Sequence, residues 1–175
     1  MSAGNTIAAE LAHQQISDTD GSQLLTFMLA GEEYGVDILR VQEIKGWDSA
    51  TPIPNAPAYI RGVINLRGTI VPIIDMRRRF GLEAVEYGPI TVVIVLKVMS
   101  ESGDTSRTMG IVVDAVSDVY NVDNDDIKPA PDFGSVVDVA FVRGLATLEE
   151  KMVILLDVDR LLNSKELALV DETTN

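Results

Sequence analysis

The sequence predicts a mainly β chain built as two similar small barrels packed across an apolar seam, with short helices and a C-terminal helix. Three observations predict it. From Leu24 onward, short β-rich runs follow one another at close intervals, separated by turn residues. Hydrophobic residues make up 46% of the 175, enough to bury a real interior. The chain also repeats itself. Tyr59–Phe80 aligns without a gap on Phe141–Leu162, matching Arg61 with Arg143, Gly62 with Gly144, Asp75 with Asp157 and Arg78 with Arg160. A second gapless match sets Tyr34–Ile44 on Met109–Val119 and pairs Gly35 with Gly110, Val41 with Val116 and Glu43 with Asp118. Two matches in the same order indicate two copies of one β unit.

Residues 1–21 are polar with a thin apolar scatter (Ile7, Leu11, Ile16) and read as a flexible N-terminal tail. The predicted strands are Leu24–Leu29, Tyr34–Ile38, Gly62–Ile64, Thr69–Ile74, Ile90–Val98, Met109–Val113, Val116–Val122 and Lys151–Leu156. Gly31, Gly68 and Ser102-Gly103-Asp104 supply turn chemistry. Pro72 cannot donate to a ladder, which suggests an edge or a barrel corner. Pro57 can open one turn through Tyr59, and Asp75 can cap Met76–Phe80, closed by Gly81. Asp157 can cap Val158–Leu162, and a further helix is expected from Ser164. Residues 22–170 form one predicted domain, with 171–175 a flexible C-terminal tail.

Charge and composition exclude several functions. Fourteen basic residues stand against 27 acidic ones, a net charge of −13, which repels phosphate backbones and anionic lipid. The longest apolar runs, Val92–Leu96 and Met152–Leu156, fall far short of a membrane span, and no Lys or Arg precedes Arg40 to start a signal peptide. A soluble, cytoplasmic protein is expected. There is no cysteine, and the only histidine, His13, lies in the tail, so no folded general base or thiol is available. Asp123-Asn124-Asp125-Asp126 lacks the glycine and closing glutamate of a calcium loop and reads as a solvated turn. Phosphate-cradling glycine motifs are absent, and capping accounts for Asp75 and Asp157. No catalytic residue, metal site or cofactor is expected. A small hydrolase using paired carboxylates is the rival reading from another class.

What remains is surface for partners. Arg61, Arg67, Arg77, Arg78 and Arg79 face a single acid, Asp75, between residues 59 and 80. They form either a basic island for an acidic partner or a solvated rim. Arg67 stands apart, because Asn65-Leu66-Arg67-Gly68 makes a tight hairpin that holds it at a tip. Trp47, the sole tryptophan, is either an interface anchor or partly core.

These residues also carry a resemblance. Glu33-Tyr34-Gly35-Val36-Asp37-Ile38, Val41-Gln42-Glu43-Ile44, Pro57 through Gly68 with the Asn-Leu-Arg-Gly hairpin, Val71-Pro72-Ile73-Ile74-Asp75-Met76-Arg77, and Gly110 through Val119 resemble the CheW family of chemotaxis coupling proteins. The resemblance runs from about Gln23 to the C-terminus. It implies two five-stranded β-barrel subdomains and a non-catalytic adaptor, monomeric when isolated. Such an adaptor joins the cytoplasmic tips of chemoreceptors to the histidine kinase CheA and is recruited to receptor arrays. It implies receptor binding by Arg67, Val92 and Val119, and kinase binding by Ile38, Val41, Glu43 and Phe133. A coupling protein of a surface-motility pathway is the alternative within the class.

Overall fold

The computed structural model describes residues 21–130 and 139–163. Eleven strands run through them: β1 Gly21–Leu29, β2 Glu32–Asp37, β3 Val41–Gly46, β4 Ile60–Leu66, β5 Thr69–Asp75, β6 Val92–Met99, β7 Ser106–Val113, β8 Ala115–Asp123, β9 Ile127–Lys128, β10 Val142–Leu148 and β11 Lys151–Leu156. Two short helices, α1 Met76–Arg79 and α2 Val158–Leu162, follow β5 and β11. The strands form two sheets, ordered β8-β1-β2-β11-β10-β9 and β3-β6-β7-β5-β4. The mainly β architecture is as expected, and the word barrel describes its two sheets of six and five strands only loosely.

Alternation along the strands explains why their sequences look uninterrupted. In β6, Ile94, Leu96 and Val98 face a large cluster between the sheets, while Val93 and Val95 face a small cluster within their own sheet. β1 divides in the same way, with Leu25, Phe27 and Leu29 toward the seam and Leu24 turned inward. A strand buried on both faces needs apolar residues at every position, which gives the run Val92–Leu96. The apolar seam is therefore the main core, and it draws on both sheets.

The duplication holds in detail. β4 pairs with β5 and β10 with β11 in the same register, each with an irregularity at the repeated Arg-Gly. β5 runs parallel to β7 with Ile73 opposite Gly110, and β11 runs parallel to β2 with Leu155 opposite Gly35. Asp75 accepts from the Arg78 N–H at 3.3 Å and Asp157 from the Arg160 N–H at 3.1 Å, so both aspartates cap as expected. The two copies do not map onto the two sheets, however. The hairpin β1–β2 of the first copy sits in the sheet of the second, and β6–β7 of the second sits in the sheet of the first.

Three strands went unforeseen. β3 is an edge strand carrying Glu43 and Lys45, and β9 has only two residues. β10 has its apolar run broken by Arg143 and Gly144. Pro72 is not on an edge strand: it pairs with Val63 of β4, and the ladder to β7 begins one residue later, at Ile73. It occupies the stretch of β5 that has one neighbour, the corner reading. The expected tails and the helix from Ser164 lie outside the described residues.

Candidate docking surfaces

The hairpin between β4 and β5 turns on two residues with positive φ, Arg67 at 50° and Gly68 at 88°. That is the two-residue turn whose twist suits adjoining antiparallel strands, and glycine accepts it without a Cβ clash. The Asn65 side-chain oxygen accepts from the Gly68 N–H at 2.8 Å and fixes the tip. Arg67 is held outward with its side chain 72% exposed, as the hairpin geometry predicts.

Its guanidinium is not idle. Nη1 and Nη2 both donate to Oε1 of Glu43, Nη1 at 2.7 Å. Glu43 is only 19% exposed and stands on β3, the edge of the five-stranded sheet. The structure thus joins two residues that the resemblance assigns to different partners. Val41, opposite Leu96, and Val92, opposite Gly46 and Val113, are half-buried and pack against the seam cluster. Val119 does the same from β8, the edge of the other sheet, opposite Leu25. Phe133 lies outside the described residues.

Ile38 has its side chain turned into the seam, 3% exposed, so it presents no surface to a partner. Its neighbour Leu39 does, at 67% exposure. Ile38–Arg40 forms a 3-10 turn capped by Asp37, whose carboxylate accepts from the Leu39 N–H at 3.0 Å. Leu39 was missed by sequence reasoning. The signal was the adjacent pair Ile38-Leu39 in a tight turn, where both apolar side chains cannot point inward.

The other arginines of the supposed basic island are engaged within the fold. Arg77 forms two bonds to Asp114, at 2.7 and 2.6 Å, and Arg78 approaches Asp75 at 3.5 Å. Arg79 lies 5.3 Å over the Tyr59 ring and 5.0 Å over Phe141, and Arg61 lies 5.8 Å over Tyr87. These contacts replace both the island and the solvated rim. Trp47 packs edge-on against Tyr87 at 4.6 Å and covers the inner cluster of the five-stranded sheet, which favours the core reading. Asn124–Asp126 is a 3-10 turn. No group of three His, Cys, Asp or Glu side chains among the described residues is arranged to hold a metal.

Residues 23–166 match the CheW-like domain. The chain belongs to the CheW family. It is 47% identical over 169 residues to the chemotaxis protein CheW of Klebsiella aerogenes, covering 97% of this chain and 96% of the relative. It is 42% identical over 146 residues to the chemotaxis protein CheW of Rhizobium meliloti, covering 83% and 90%. The crystal structure of the scaffolding protein TtCheW from Thermoanaerobacter tengcongensis superposes with a TM-score of 0.73 at 35% identity, covering 83% of this chain and 95% of that one. As a CheW family member the protein is a chemotaxis adaptor and not an enzyme, which sets aside the carboxylate hydrolase. No helix among the described residues is long and apolar enough to cross a membrane.

Proposed function

We propose that this protein couples the cytoplasmic tips of chemoreceptors to the histidine kinase CheA, placing kinase activity under receptor control. It acts in the cytoplasm as a monomer until receptors recruit it, through one functional unit spanning 22–170. The reading is supported most by the ion pair between Arg67 and Glu43. An adaptor must make the occupancy of one surface felt at another, and this pair ties a hairpin tip to a sheet edge through two charged groups. A receptor acid that competes for Arg67 would release Glu43 on the strand that faces the kinase. Val41 and Leu39 extend the kinase face with half-buried and exposed apolar surface. Val92 and Val119 flank the receptor face, and Phe133 belongs to a second kinase contact.

Reconstituted phosphorylation with receptor cytoplasmic fragments and CheA tests the reading. Arg67→Glu is expected to fold, to retain CheA in a pull-down and to lose receptor-stimulated phosphorylation at least tenfold, the loss that follows from about 1.4 kcal/mol of coupling. Full stimulation by Arg67→Glu, or failure of the natural protein to retain CheA, would refute it.

A further inference from the structure

Two ion pairs are related by the repeat with their charges transposed: Arg77 and Asp159 are equivalent positions, and Arg40 and Asp114 lie one position apart in the gapless match. In the first, Arg40 Nη1 and Nη2 donate to the two carboxylate oxygens of Asp159 at 2.6 and 2.7 Å, and the Met99 N–H donates to Oδ1 at 2.8 Å. In the second, Arg77 Nε and Nη2 donate to the two oxygens of Asp114 at 2.7 and 2.6 Å, and the Ala30 N–H donates to Oδ2 at 2.9 Å. Arg40 ends the 3-10 turn that follows β2, and Asp159 lies in the helix after β11, the parallel neighbour of β2. Asp114 directly follows β7, and Arg77 lies in the helix after β5, the parallel neighbour of β7. Each pair therefore reports which hairpin has docked beside which strand.

The parallel ladders themselves do not make that choice. β2 and β7 present the equivalent Gly35 and Gly110, while β11 and β5 present the equivalent Leu155 and Ile73. If each copy closed on itself, β2 would lie beside β5 and β7 beside β11 in the same register. The charges differ where the ladders do not. The first copy carries both cations, Arg40 and Arg77, and the second carries both anions, Asp114 and Asp159. Exchange of hairpins sets unlike charges together at both ends. Self-closure would set Arg40 against Arg77 and Asp114 against Asp159.

We propose that this transposition is what directs each hairpin into the sheet of the other copy. Specificity of this kind comes as much from repulsion in the wrong arrangement as from attraction in the right one. The wrong arrangement open to this chain is a self-closed half, or an exchange completed between two molecules.

Charge transposition in the full chain separates this from a merely stabilising role. The double variants R77D with D114R, and R40D with D159R, keep unlike charges at both natural contacts but also make self-closure complementary. The quadruple variant restores like charges to self-closure. Each protein is diluted from denaturant and followed by refolding kinetics, size exclusion and counting of amide resonances. Both doubles are expected to show a second species or an added slow phase carrying roughly a tenth or more of the amplitude, beyond any proline-limited phase of the natural chain. The quadruple is expected to refold to one monomeric species, even though it has lost the acceptors for the Met99 and Ala30 N–H groups and is less stable than the natural chain. Doubles that refold as uniformly as the natural chain would overturn the proposal. So would a quadruple that is no more uniform than the doubles.

Discussion

At the scale of single residues, the repeated Arg-Gly is where the fold tolerates least. Gly62 has φ of 135°, and an added Cβ would stand 2.1 Å from the Thr51 carbonyl oxygen, on backbone that cannot retreat. Thr51 and Val63 exchange two hydrogen bonds of 2.9 Å there. At the equivalent Gly144 the Cβ would meet the Lys128 carbonyl oxygen at 2.7 Å. Gly62→Ala is expected to cost about 3 kcal/mol or more, since it adds backbone strain to the loss of the bridge. Arg67→Glu breaks only an exposed ion pair and sets two acids near one another, so its cost is expected within about 1 kcal/mol. Urea midpoints of the two variants check both values, and a Gly62→Ala midpoint equal to that of the natural chain would refute the close packing.

At the scale of elements, α1 and α2 are too short to be helical alone, so caps and packing must hold them. Met76 and Phe80 anchor the first, and Val158, Leu161 and Leu162 the second, all within the seam cluster. The two caps are equivalent in sequence and unequal in setting. Asp75 is 3% exposed and also accepts the Tyr87 hydroxyl at 2.6 Å, whose pKa is pushed up by burial and by that bond. Asp157 is more exposed and caps alongside Arg160 at 3.7 Å. Asp157→Ala is expected to cost about 1 kcal/mol, the usual worth of a cap. Asp75→Ala is expected to cost about 2 kcal/mol, because it also takes the acceptor from the partly buried Tyr87 hydroxyl. Thermal or urea unfolding of the pair measures the difference, and equal losses would show that the Tyr87 bond contributes nothing.

At the scale of the whole molecule, the two transposed ion pairs join the sheets and make the assembly sensitive to acid. Burial pushes the carboxyl groups of Asp114 and Asp159 up. Bonds from Arg77 and Ala30 in one, and from Arg40 and Met99 in the other, more than offset this and leave both below the ordinary carboxylate range. A lowered folded pKa gives stability that is fully present above the unfolded value of about 3.9 and lost as pH falls through the folded one. The urea midpoint is therefore expected to hold steady from neutrality to about pH 5 on account of these groups, then to fall in stronger acid. Asp159→Asn should be less stable at neutral pH and lose less on acidification. An equal acid slope for the variant and the natural chain would place the sensitivity elsewhere.

The sequence by itself determined the strands with two buried faces, both capping aspartates, the hairpin that exposes Arg67, and the duplication down to Gly35 with Gly110. These are local properties: apolar runs, turn residues and caps act on neighbours a few positions away. It also carried the family through motifs from Glu33 to Val119. Tertiary structure alone decided that Arg67 meets Glu43, that Ile38 is buried while Leu39 is exposed, and that the other arginines are internally engaged. It also decided that the repeats exchange hairpins. The physical reason is that an ion pair, a ring contact or a parallel ladder is a meeting of segments far apart in the chain. Two copies of one β unit leave such meetings degenerate until the whole fold brings particular charges face to face.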